Sequence, residues 1–262
     1  MRAIGLLVVI LLGCAAPTSP SSATSRPRPR PAASPTVSYA PCAPGKESVK
    51  GVVRFAGKFR GPHGAVDKER LGACESHDPL KLARHERAVG PAGELANVFI
   101  VVNSGLGPER PKPQHEPVRM TQWCILFEPR VVALSPGQPL VVRNGDGKPH
   151  TVHVSSTLQP EFGRGQAHGI SETRLEFPMP EIGVRLACDI HAWERAWVHV
   201  VDHPFFAVTG SDGGFEITGL PPGDYELLVW HERFLENPLI SKVKVEAGKT
   251  STLDFTFEAT LK

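Results

Sequence analysis

All-β architecture is what this sequence predicts, and three observations carry the expectation. Its 25 glycines and 26 prolines in 262 residues supply frequent turns. Between those breaks lie many short Val/Ile/Phe runs of strand length. Seven such runs fall within residues 120–202, a density that fits a Greek-key sandwich. The length suits one typical domain or two small ones. A net charge of +2 makes no electrostatic case for nucleic acid. No phosphate-cradling glycine motif, nucleophile elbow or paired-His zinc helix occurs, so an enzyme is not expected.

Residues 1–14 open with a charged Arg2 and an apolar run from Ala3 to Leu12. Ten or so apolar residues are too few to span a bilayer, but they suit the core of an export signal. The ending Leu11-Leu12-Gly13-Cys14 resembles a bacterial lipobox, which implies cleavage before Cys14 and a lipid on its thiol. A plain secretory signal cut near Ala15-Ala16 is the alternative. Either way the chain is expected outside the cytoplasm, on the periplasmic side of a bacterial membrane or at the cell surface. Residues 15–45 form a Pro/Ser/Thr/Ala tether containing Arg26-Pro-Arg-Pro-Arg-Pro31, too poor in large apolar residues to build a core.

From residue 46 the text becomes strand-like. Ser48-Val-Lys-Gly-Val-Val-Arg-Phe55 alternates. An irregular stretch with Cys74 follows, then residues 96–102, apolar nearly throughout, as a strand covered on both faces would be. His63, His77, His85 and His115 share no spacing and read as surface residues. Residues 123–127, 131–134, 139–143, 150–155, 174–177, 184–188 and 196–201 are the strand candidates of the next block. Residues 159–171, with Phe162-Gly-Arg-Gly165, read as a loop capping its flank.

Two stretches of that block carry chemistry. Arg185-Leu-Ala-Cys-Asp-Ile-His-Ala-Trp-Glu-Arg-Ala-Trp-Val-His-Val200 sets Cys188 and His191 on a short loop between strand-like runs. Upstream, Asn144-Gly-Asp-Gly-Lys-Pro delivers His150 to the start of a strand. One thiolate with two imidazoles is the donor set of electron-transfer copper. Side chains alternate across a strand, so His153 points away from the face that His150 shares with Val152.

These residues resemble the cupredoxins, in the plastocyanin- and amicyanin-like branch associated with methylamine utilisation. There an Asn-bearing turn ends in the first His ligand, and the last two strands flank a loop of Cys, His and usually an axial Met. The Cys188-x-x-His191-x-x-Glu194 spacing is similar to the shortest version of that loop, with Glu194 where the Met should stand. The resemblance implies one type-1-like copper on His150, Cys188 and His191, with Glu194 as candidate fourth ligand. Trp193 and Ile190 would rim the site, while Trp197, inside a strand, reads as core.

After residue 203, Gly213-Gly-Phe-Glu-Ile-Thr-Gly-Leu-Pro-Pro-Gly-Asp-Tyr225 resembles the carboxypeptidase regulatory-like, or transthyretin-like, domain. Such domains open with a Gly-x-Val strand and a buried Val-rich strand, the features at Gly51 and at residues 98–102. The resemblance therefore implies a discontinuous sandwich, 46–115 plus 203–262, with a cupredoxin-like domain of residues 116–202 inserted in or adjoining it. With Cys14 given to lipid and Cys188 to metal, Cys42, Cys74 and Cys124 remain. Export favours pairing, and Cys74 with Cys124 is expected because both lie beside strand-like segments.

The expected function is an exported, membrane-tethered, mononuclear copper protein passing single electrons to a redox partner protein. Two alternatives stay open: a copper-holding or delivery protein, and a metal-free interaction module with a degenerate site. Zinc is also compatible with the donors.

Overall fold

The structure is a computed structural model that describes residues 46–57, 89–108, 115–123, 126–167 and 171–258. Cys14, the 15–45 tether, Cys42, the Cys74–Cys124 pairing and His63, His77 and His85 lie outside the described residues. His115 is exposed. Every regular element described is a strand, so the all-β expectation holds.

In chain order the strands are β1 (Ser48–Ala56), β2 (Phe99–Ser104), β3 (Val118–Trp123), β4 (Leu126–Glu128), β5 (Val131–Leu134) and β6 (Pro139–Asn144). Next come β7 (His150–Ser155), β8 (Phe162–Gln166), β9 (Glu172–Glu176), β10 (Glu181–Ala187) and β11 (Arg195–Val200). The last are β12 (Phe206–Val208), β13 (Gly214–Thr218), β14 (Gly223–Trp230), β15 (Leu239–Val245), β16 (Thr250–Thr252) and β17 (Phe255–Glu258).

They form four sheets: β13-β1-β16 with β17 also on β1, β12-β2-β14-β15, β4-β3-β6-β9, and β5-β11-β10-β7-β8. The first two sheets enclose one core, including Val49, Val53, Ile100, Phe215, Leu227 and Phe257. The other two enclose a second, including Met120, Leu140, Val152, Val184 and Val198. Each fully buried side chain of this size contributes about 1.5–3 kcal/mol.

A third cluster, Phe99, Val101, Val131, Trp197, Val201 and Trp230, forms a seam where β2 and β14 meet β5 and β11. It explains why β2 is apolar on both faces. Its alternating side chains send Ile100 and Val102 into the first core and Phe99 and Val101 into the seam. The seam also has a polar node. Arg130 donates from Nε and Nη2 to the two Glu232 carboxylate oxygens at 2.7 and 2.9 Å, and Trp197 Nε1 donates to Oε2 at 2.7 Å. His199 lies in the same layer, its ring stacked on Phe99 at 3.9 Å.

Local chemistry matches these placements. Gly51 is required on β1, because any Cβ there would run into the backbone carbonyl of Leu253. The Pro221-Pro-Gly223 turn is anchored by Tyr225 Oη donating to Pro221 O at 2.8 Å.

Two expectations are corrected. Residues 159–171 are not simply a capping loop: β8 crosses them and pairs antiparallel with β7, His150 opposite Gln166 and Val154 opposite Phe162. As an edge strand β8 exposes Gly163, Arg164 and Gly165 and so lacks the apolar alternation by which strands are read. The expected 123–127 strand falls instead into β3, ending at Trp123, and β4, beginning at Leu126. The inward-facing residues of β3 are Met120 and Gln122, and the polar Gln122 masked the pattern.

Candidate metal centre

The site is assembled at one end of the second sandwich by three segments. β10 and β11 form a hairpin with Ala187 opposite Arg195, which leaves residues 188–194 as the connecting turn. Within it Cys188 N donates to Glu194 O at 3.3 Å and Glu194 N to His191 O at 2.9 Å, folding the turn so that three side chains point back toward β7. β7 lies beside β10 in the same sheet and begins at His150.

The turn before β7 fixes that histidine. Asn144 Nδ2 donates to Lys148 O at 2.9 Å, Asp146 N to Asn144 Oδ1 at 3.1 Å and Lys148 N to Asp146 Oδ1 at 2.8 Å. These are the side-chain-to-backbone bonds by which Asn and Asp stabilise tight turns. They also bring Asp146 Oδ1 to 3.2 Å from His150 Nε2. His150 Nδ1 is thereby turned toward Cys188 and Glu194.

Donor atoms of His150, Cys188, His191 and Glu194 all lie within 4.8 Å of one another. Cys188 Sγ is 3.6 Å from His191 Nδ1 and 4.0 Å from His150 Nδ1, and it accepts the Thr151 N–H at 3.4 Å. Glu194 Oε2 is 3.1 Å from His150 Nδ1, and Oε1 is 3.0 Å from His191 Nδ1. His150, Cys188 and Glu194 are buried, and His191 alone is partly open.

The electrostatics call for positive charge. Burial by itself lowers the pKa of His150. Hydrogen bonds to Cys188 and Glu194, with the negative charges of Glu194 and Asp146, outweigh it and raise the pKa to about 10. Glu194 Oε1 is fully buried and has no hydrogen-bond donor in line, although His191 lies close. A buried carboxylate oxygen left so is costly, and a cation among these donors satisfies it. One thiolate, two imidazoles and a carboxylate fit a mononuclear transition-metal ion, copper or zinc by donor type.

All four ligand candidates named from the sequence thus converge, and Cys188 is in no disulfide. His153 stands apart: its Nδ1 is 2.9 Å from Asp189 Oδ1 at a partly exposed position. Ile190 is exposed and Trp193 partly exposed, its ring 5.7 Å from that of His191. Trp197 is buried in the seam.

Three supporting residues escaped the sequence reading. Gln122, wholly buried on β3, donates from Nε2 to Glu194 Oε2 at 2.7 Å and to Thr151 O at 3.1 Å. Asp146 orients His150, and the Thr151 amide holds the thiol. For Gln122 the available signal was a polar residue at an inward position, two after the buried Met120.

No family model matches the chain, and no curated protein does. Solved structures with a similar fold include the purple cupredoxin from Nitrosopumilus maritimus, 15% identical, covering 32% of this chain and 99% of that one at a TM-score of 0.27. Amicyanin from Paracoccus versutus is 16% identical, with 39% of this chain and 97% of that one covered at a TM-score of 0.28. The Cu-containing nitrite reductase from Thermus scotoductus is 22% identical, with 38% and 25% covered at a TM-score of 0.29.

Proposed function

We propose that this chain is a cupredoxin-type mononuclear copper protein, exported and tethered to a membrane by lipid at Cys14, that passes single electrons to a partner protein. The observation that carries the copper assignment is the convergence of the Cys188 thiol, two imidazole Nδ1 atoms and a buried, unsatisfied Glu194 oxygen.

Copper held there would cycle between Cu(II) and Cu(I). The protein's part is to keep its donors in one arrangement through that cycle. Three donors sit on the turn of one strand hairpin, His150 opens a third strand of the same sheet, and Asp146, Thr151 and Gln122 hold orientations from outside the donor set. Burial keeps water from Cys188 and Glu194, and the partly open His191 edge, beside exposed Ile190, is the route by which a partner's acceptor approaches.

The chain itself is read as one sandwich, 46–115 plus 203–262, interrupted by the copper-holding sandwich of 116–202. The pairing of β1 with β13, β16 and β17, and of β2 with β12 and β14, supports this reading. A copper-holding or delivery role is favoured by one observation, the carboxylate of Glu194, a harder donor than a thioether. A reversible potential with fast self-exchange would decide against it.

Cu(II) added to the metal-free full-length protein should produce an intense visible thiolate-to-copper band. Cys188→Ser should abolish it. A band that survives this substitution overturns the assignment.

A further inference from the structure

We infer that Gln122 selects the metal by fixing Glu194 as a ligand through Oε1. The inference rests on the four donors holding an ion, and it goes beyond that reading to a residue outside the ligand set and on the opposite sheet.

The two oxygens of Glu194 have different surroundings. Each faces a ligand imidazole, Oε2 at 3.1 Å from His150 Nδ1 and Oε1 at 3.0 Å from His191 Nδ1, but Oε2 alone also accepts a short 2.7 Å hydrogen bond from Gln122 Nε2. Gln122 is itself fixed, since the same amide nitrogen donates to the backbone carbonyl of Thr151, the residue after His150. The opposite amide orientation would set the Gln122 oxygen against a carboxylate, so the donor assignment follows from charge. Gln122 and Glu194 are both wholly buried, so no solvent competes for the bond.

A charge-assisted hydrogen bond to one carboxylate oxygen holds the side chain in one rotamer. With Oε2 capped, the lone pairs free for an ion are those of Oε1, the buried oxygen left without a donor. An anionic oxygen favours a divalent ion over Cu(I), which thiolate and imidazole donors hold well without it. Gln122 is therefore a positioning residue that tilts the site toward Cu(II), Co(II) or Zn(II).

The test compares four full-length proteins: the natural chain, Gln122→Leu, Glu194→Gln and the double variant. Each is titrated with Co(II) and Cu(II) against a competing chelator, and the Cu(II)/Cu(I) potential is measured. Gln122→Leu removes the donor at similar bulk. It should weaken Co(II) and Cu(II) binding about tenfold or more, the usual effect of losing a residue that orients a ligand. It should leave Cu(I) affinity unchanged, so the potential rises by about 59 mV for each tenfold of Cu(II) affinity lost. In the Glu194→Gln background the same change should have no further effect. Gln122→Asn, which withdraws the amide while staying polar, should behave as Gln122→Leu and serves if that variant does not fold; melting of the metal-free proteins checks folding. Equal losses in both Glu194 backgrounds, or no loss in either, overturn the inference. Failure of the natural chain to bind Co(II) or Cu(II) overturns the metal site itself, and with it the inference.

Discussion

Replacing Glu232 by Gln should uncouple the seam between the two sandwiches in a strictly pH-dependent way. Arg130 and Glu232 expose only 17% and 12% of their side chains, and the carboxylate receives two Arg130 donors and the Trp197 indole N–H. Burial alone would raise its pKa. The Arg130 charge and hydrogen bonds, with the Trp197 bond, overcome this and hold it at about 2 against an ordinary 4.5. At about 1.4 kcal/mol per pH unit, the gap is worth about 3 kcal/mol of stability. A carboxylate lowered in this way contributes fully above pH 4.5 and loses that contribution as pH falls toward 2. Glu232→Gln keeps the shape, strands the buried Arg130 charge and turns one acceptor into a donor. Loss of one partner from such a pair costs about 3–5 kcal/mol, in line with the linkage figure. The assay is urea unfolding of the metal-free natural and variant proteins from pH 8 to pH 2.5. The difference in unfolding free energy should be about 3 kcal/mol at pH 7 and shrink steadily below pH 4.5. His199, whose pKa burial lowers to about 3, makes both proteins less stable as pH falls below 6.5 and so drops out of the difference. His231, whose pKa burial lowers to about 4 while the Glu232 charge raises it, is coupled to the substituted residue and slows the shrinkage below pH 4. A difference under about 1 kcal/mol at pH 7, or one equally large at pH 2.5, would refute the reasoning.

Three further outcomes are expected. Glu194→Met should raise the potential and move the copper spectrum toward that of an ordinary blue site, because a neutral thioether stabilises Cu(II) less than a carboxylate does; an unchanged potential and spectrum would remove Glu194 from the ligand set. Deleting residues 116–202, so that 46–115 joins 203–262, should leave a cooperatively melting β domain, since β1 and β2 pair with β12, β13, β14, β16 and β17; an unfolded product would count against the interrupted-sandwich reading. Expressed in a bacterium, the protein should partition with membranes and Cys14→Ser should block lipid addition and maturation; an unmodified N-terminus elsewhere, seen by mass spectrometry of the natural protein, would sink the expectation.

What could be read from sequence depended on how far apart in the chain the cooperating residues lie. Cys188, His191 and Glu194 fall within one seven-residue turn, and His150 follows a turn whose Asn, Gly and Pro residues announce it. Local chemistry nominated His150, Cys188 and His191, the resemblance to the cupredoxin loop added Glu194, and the structure brings their donor atoms together. β2 was recognisable because its first four residues, buried on both faces, are all apolar. The residues that orient the ligands obey no such local rule. Asp146 looks like any turn aspartate until the turn's hydrogen bonds bring its carboxylate to His150. Gln122 precedes Glu194 by 72 residues and lies on the other sheet, and Arg130 precedes Glu232 by 102. A hydrophobic pattern counts an inward polar residue as noise, whereas in a dry interior such a residue persists only with a partner. That partner is the information the pattern discards. The consequence bears on how such sites are compared: the Cys-x-x-His-x-x-Glu turn nominates the donors, but the orientation of the carboxylate depends on what stands opposite on β3. Two proteins with the same turn, one with an amide donor there and the other with an apolar residue, should therefore differ in their preference between Cu(II) and Cu(I).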